Sequence, residues 1–232
     1  MLDFGNQRLT AISEDGVPGD RVSYAMGADP RGVCELRRSR IHLRAATDRE
    51  IERVEQNPVR TTESALPWPE VVGQPSLARQ SIIFSHPVGD VCLVTLSFGP
   101  KFALLDDTGT RATGAWIEEI PLAQAQSTGK GSWRLAPGSV LSTMSATGVG
   151  GAFAVLFEGT SALKLRLLDF YSATDGRYLF SVELPFKGRY ITYGHGLLVI
   201  AGENEDGAPF LRALRTLPSL EAMVERALKK PR

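Results

Sequence analysis

The sequence predicts an all-β chain, a β-propeller of about five recognisable four-stranded blades followed by a short C-terminal helix. Three observations carry that expectation. First, apolar residues recur at alternate positions. In Arg177-Tyr178-Leu179-Phe180-Ser181-Val182-Glu183-Leu184, the side chains of Tyr178, Phe180, Val182 and Leu184 share one face of a half-buried strand. Second, turn signals separate the runs, among them Asp15-Gly16, Thr108-Gly109, Asp175-Gly176 and Asp206-Gly207, where glycine accepts the positive φ that tight turns require. Third, the runs come in fours at a period of about 40–50 residues, as propeller blades do. A β-sandwich, the competing all-β architecture, would lack that order.

Composition sets the outer limits. The chain has 232 residues, 43% of them hydrophobic, with 26 basic side chains balanced by 26 acidic ones. That apolar content supports a packed core rather than a disordered chain. The balanced charge offers no basic surplus for an obligatory nucleic-acid partner. Gly 23 and Pro 14 favour a turn-rich architecture over a helical bundle. The longest apolar stretches, Gly151–Phe157 and Gly196–Ala201, are far shorter than the ~20 residues of a membrane span. Met1–Asn6 lacks the basic start and apolar run of a signal peptide.

The strands are expected in this order. Val33–Leu36, Ile41–Ala45, Glu50–Val54 and a poorly patterned fourth strand make one blade. Ser81–Ser85, Val91–Phe98, Lys101–Leu105 and Arg111–Ile120 make the next. Val140–Ala146, Ala152–Phe157, Leu165–Tyr171 and Arg177–Leu184 make a third. Arg189–Tyr193, Leu197–Ala201 and Phe210–Leu214 begin another. Residues 1–218 thus form the blades, and residues 219–232 a helix and tail. Ser219 caps that helix, while Leu220, Met223, Val224, Ala227 and Leu228 give it one apolar face to dock on the last blade.

The first sixteen residues carry a resemblance. Leu2-Asp3-Phe4-Gly5-Asn6-Gln7-Arg8-Leu9, followed by Glu14-Asp15-Gly16, resembles the Asp-x-Gly-Asn-x-Arg-Leu core of NHL-like repeats in bacterial six-bladed β-propellers. The later blades keep the strand order, and Leu167-Leu168-Asp169-Phe170 keeps only the apolar and acidic skeleton of the motif. The resemblance implies six blades, whereas the count here reaches about five and the first blade begins at its second strand. The expectation is therefore a missing N-terminal part, which leaves the compartment undetermined and a periplasmic or secreted location open.

Candidate chemistry is sparse. Cys34 and Cys92 stand 58 positions apart in apolar strands and read as two buried small side chains, with a disulfide left open. Their spacing does not suit zinc. His42 lies on a polar strand face with Arg44 and reads as a surface residue. His86 and His195 occupy equivalent turns, so they could face each other on one rim. An amidating lyase with an NHL-like propeller holds a metal with several histidines, but Gly148–Gly151 stands in the matching turn here. Both histidines therefore read as turn residues, and no metal or other cofactor is expected.

Ser127-Thr128-Gly129-Lys130-Gly131-Ser132 departs from a phosphate loop at Gln124 and Gly131 and reads as a flexible insert between blades. The acidic runs 203–207 and 106–109 lack the ligand spacing of a calcium loop. Propellers usually bind ligands on the rim formed by the loops between second and third strands. Asp48, Arg49 and Glu158 fall there, with Trp68 in a nearby linker, and these four are the candidate ligand-binding residues. The reading favours a non-catalytic binding module for an unknown small molecule or protein. Its alternatives are a metal-dependent propeller lactonase or lyase, and a non-functional fragment.

Overall fold

The computed structural model describes residues 2–3, 8–12, 18–23, 30–44, 48–158, 163–204, 206–215 and 219–230. The strands follow one another as antiparallel meanders. The first sheet joins β1 (Leu2–Asp3), β2 (Arg8–Ile12) and β3 (Pro18–Ser23). The second joins β4 (Pro30–Glu35), β5 (Ser39–Arg44), β6 (Ile51–Gln56) and β7 (Val59–Ser64). The third joins β8 (Ser81–Ser85), β9 (Cys92–Leu96), β10 (Lys101–Asp106) and β11 (Gly109–Ala115). A hairpin of β12 (Ala125–Gly129) and β13 (Ser132–Leu135) interrupts the linker that follows. The fourth sheet joins β14 (Thr143–Val149), β15 (Ala152–Phe157), β16 (Leu167–Ser172) and β17 (Tyr178–Glu183). The fifth joins β18 (Tyr190–Gly194), β19 (Leu197–Glu203) and β20 (Pro209–Leu214), and the chain continues into helix α1 (Leu220–Leu228).

These sheets are propeller blades. From the second sheet onward, the first strand of each touches the first strand of the next, β4 against β8, β8 against β14 and β14 against β18, so these blades turn about a common axis. Three apolar layers fill the spaces between adjacent sheets from the second to the fifth. The period of two explains how one strand serves two layers. In β9, Cys92, Val94 and Leu96 enter the layer shared with the second sheet, while Leu93 enters the layer shared with the fourth. Every residue of β9 and of β15 is therefore buried. By contrast, every residue of the outermost strand β7 is exposed. That contrast explains why its sequence, Val-Arg-Thr-Thr-Glu-Ser, carries so little apolar pattern.

Two kinds of bond stitch neighbouring blades near the axis. Cys34 on β4 and Cys92 on β9 are joined as a disulfide with Cα atoms 6.1 Å apart, so the two buried side chains are a bonded pair. Hydroxyls do the same work elsewhere. Ser145 Oγ accepts the Ile191 amide at 3.2 Å, and Thr147 Oγ1 accepts the Tyr193 amide at 3.1 Å. Ser142 Oγ donates to the Leu96 carbonyl at 2.7 Å. The edge of a first strand carries polar groups with no ladder partner, and buried amides of that kind are costly unless accepted. Small hydroxyl residues fit the narrow seam and supply the acceptor.

Some boundaries differ from the sequence reading. β14 starts at Thr143 rather than Val140, and β11 ends at Ala115, with Trp116 and Ile120 continuing as buried linker residues. The Ser127–Ser132 insert is built as the β12–β13 hairpin, with Lys130 in its turn at φ 52°. The turn residues of the NHL-like motif, 4–7 and 13–17, lie outside the described residues.

Helix α1 docks on the end of the fourth sheet. Ser219 Oγ accepts the Ala222 amide at 3.3 Å, which caps the helix as expected. Leu220 and Val224 are buried in the layer between the fourth and fifth sheets. Arg177 Nη2 donates to the carbonyls of Ala227 and Leu228, at 3.3 and 2.9 Å, and so satisfies the other terminus. Among the described residues, no helix is long and apolar enough to cross a membrane.

Candidate functional site at the linker rim

In a four-stranded meander the connections alternate between two ends. Turns between first and second strands, and between third and fourth, lie at one end, where α1 docks. Loops between second and third strands lie at the other end with the inter-sheet linkers. All four candidate residues belong to this second end, the linker rim.

Asp48 and Arg49 sit in the β5–β6 loop and are exposed, Asp48 at 82% of its side-chain surface. Asp48 Oδ1 is 3.2 Å from Arg79 Nη2, and Arg79 also pairs with the buried Glu50, so the linker before β8 is tied to the loop. Glu158 is half-buried after β15 and pairs with Lys164 at 2.5 Å. It belongs to the fourth sheet, so the whole third sheet separates it from Asp48. Trp68 is only 2% exposed and packs with Leu66 and Val71 at the end of the layer between the second and third sheets. The four residues thus share a rim without converging on one cavity.

The histidines fall into separate roles. His86 is buried in the β8–β9 turn, at the opposite end from the linker rim. Its Nδ1 accepts the Gly89 amide at 2.7 Å and the Val88 amide at 3.3 Å, while Nε2 is 3.2 Å from the Ala152 carbonyl. Two amides on Nδ1 select the neutral tautomer with the proton on Nε2, and burial holds the imidazole below its usual pKa. The ring meets Phe153 edge-on at 5.1 Å between centroids. Close approach also demands glycine opposite, since a Cβ at Gly148 would lie 2.6 Å from Pro87 Cδ and 2.8 Å from His86 Cδ2. His195 is exposed in a tight turn at φ 51°. His42 differs from its surface reading. It is half-buried, and its Nδ1 lies 2.9 Å from Glu52 Oε2 on the neighbouring strand.

One buried carboxylate was not foreseen. Asp169 on β16 is 1% exposed and accepts a hydrogen bond from Ser181 of β17. Burial raises its pKa to about 6, with the nearby Glu118 charge adding to the rise and the Ser181 hydroxyl opposing it. Tyr171, on the same face, accepts the Ile117 amide at 3.1 Å through its hydroxyl. Both polar groups thus lie in the seam between the third and fourth sheets.

The linker rim also carries features that the sequence reading passed over. Val72, Ile117 and Trp133 are exposed on its linkers, Trp133 at 49% on the protruding hairpin. A groove of about 460 Å³ lies between the fourth and fifth sheets, with Phe186, Lys187, Phe210 and Arg212 in its wall. The alternation Phe210-x-Arg212 on β20 was the available signal, because it puts an aromatic and a guanidinium on one strand face.

No family model and no curated protein matches this sequence. Among solved structures, a streptogramin B lyase aligns with a TM-score of 0.42 at 11% identity, over 92% of this chain and 78% of that one. Virginiamycin B lyase from Staphylococcus aureus aligns at 0.41 and 14%, over 92% and 78%. BamB from Moraxella catarrhalis aligns at 0.39 and 14%, over 81% of this chain and 49% of that one. The blade assignment rests on strand order and inter-blade layers rather than on these likenesses.

Proposed function

We propose that this chain is a non-catalytic β-propeller binding module whose ligand, a small molecule or a protein, docks on the linker rim. One observation carries the reading: that rim presents Val72, Ile117 and Trp133 to solvent beside charged loops. Aromatic and aliphatic side chains exposed among charges are typical anchors of recognition surfaces. Asp48, Arg49 and Glu158 supply charged contacts at its edge, and the buried Trp68 supports the linker from below. The motif in residues 2–16 supports kinship with bacterial six-bladed NHL-like propellers.

The test is a thermal-shift screen of the full chain against small molecules and peptides, followed by mass spectrometry of each hit. A binding module shows a concentration-dependent rise in Tm, with the ligand recovered unchanged. Recovery of more than one product molecule per chain would overturn the proposal.

A further inference from the structure

We propose that the groove between the fourth and fifth sheets is a binding site for an organic oxyanion, a carboxylate or phosphate carrying an aromatic or apolar group. The inference deepens the binding-module reading and rests on it. The groove is lined by Arg166, Phe186, Lys187, Glu203, Phe210 and Arg212, with a volume of about 460 Å³, the size of a small organic ligand.

Its charges are arranged unequally. Arg166 is engaged, with Nη2 at 2.6 Å from Glu183 Oε1 and Nε donating to the Leu184 carbonyl at 3.2 Å. Glu203, the one carboxylate among the described residues of the lining, is held by Arg189 at 3.1 Å. Lys187 and Arg212 have no carboxylate within ion-pair distance among the described residues. Among the described residues, the groove therefore offers two cations without an ion pair against one neutralised acid.

The aromatic residues give the second half of the argument. The Arg212 guanidinium carbon lies 4.6 Å from the Phe186 ring centroid and 4.8 Å from that of Phe210. The two rings meet edge-on at 5.1 Å. Rings so placed orient a planar guanidinium without using its N–H groups, leaving the fork for a bidentate oxyanion. They also provide apolar surface for the body of the ligand. The linker side of the groove is closely packed. A Cβ at Gly202 would meet the Lys187 carbonyl oxygen at 2.7 Å and Phe210 Cζ at 2.8 Å, so the linker lies directly on β19.

Isothermal titration of the full chain with phenyl phosphate, phenylacetate and inorganic phosphate tests the site. The expected result is saturable one-to-one binding of an aromatic anion. The preferred anion, phosphate or carboxylate, identifies the headgroup. Arg212→Gln should weaken that binding by about 10-fold or more while lowering Tm only slightly, because the residue is exposed and its ring contacts are weak ones. Phe210→Leu should reduce the advantage of phenyl phosphate over inorganic phosphate. Unchanged affinity in Arg212→Gln, or no saturable heat with either aromatic anion, would overturn the site. A screening hit that raises Tm equally in the parent and in Arg212→Gln, together with no saturable heat from either aromatic anion, would overturn the groove while leaving the binding-module reading standing.

Discussion

Asp169 shows how a polar side chain is tolerated inside a blade seam, and at what cost. Its carboxyl titrates near 6 in the fold against 3.8 for the free group. The folded state therefore holds the proton more tightly than the unfolded state does. The associated stability is complete below about pH 4 and is lost as pH rises through 6, a difference of about 3 kcal/mol. Asp169→Asn keeps the acceptor for Ser181 and removes the titration. It should raise the urea midpoint at pH 8 and leave it nearly unchanged at pH 4; equal shifts at both would refute the assignment. His86 has the opposite sign, because burial lowers its pKa. Its contribution is present above the free-histidine range near 6.5 and declines as pH falls through the folded value. His86→Ala should cost about 3 kcal/mol in denaturant melts, since it opens a cavity beside Phe153 and strands the Gly89 amide. Neither role was legible in the sequence. Asp169 looked like a motif remnant, and His86 like a turn former, because burial depends on which blade lies opposite.

Strands and helix were far easier to read. Ala152–Phe157 and Ser81–Ser85 have the expected bounds, and the cap at Ser219 is where local chemistry puts it. Such features are written locally, in alternation, turn glycines and capping oxygens. The β12–β13 hairpin escaped because its strands are largely exposed and show no apolar period. The pairing of Cys34 with Cys92 escaped because it depends on two sheets meeting. That bridge closes a loop of 58 residues, for which chain entropy gives about 4 kcal/mol. Dithiothreitol should therefore lower Tm in the parent chain and leave a Cys34→Ala/Cys92→Ala variant unaffected. A parent Tm insensitive to reduction, with both thiols shown free, would contradict the bridge. At the helix, Ser219→Ala should cost about 1 kcal/mol in thermal unfolding.

In the third and fourth sheets, burial is complete in the second strand and falls away in the outermost one. Hydrogen exchange should be slowest in β9 and β15, buried throughout, and fastest in the exposed outer strand β7. A uniform exchange profile would argue against layered blades. The linker rim resisted the sequence reading for a related reason. Its candidate residues come from loops of different blades, and their mutual placement is a property of the ring rather than of any segment. The seams near the axis have a mechanical side as well. The Ser145 and Thr147 hydroxyls and the Cys34–Cys92 bridge all hold blades together at their inner strands. Blades joined in this way are held like two leaves on a spine, tied along the inner strands and, among the described residues, free of such ties at the outer edge. The groove beside β20, the outermost strand of its sheet, would widen with any spreading at that edge.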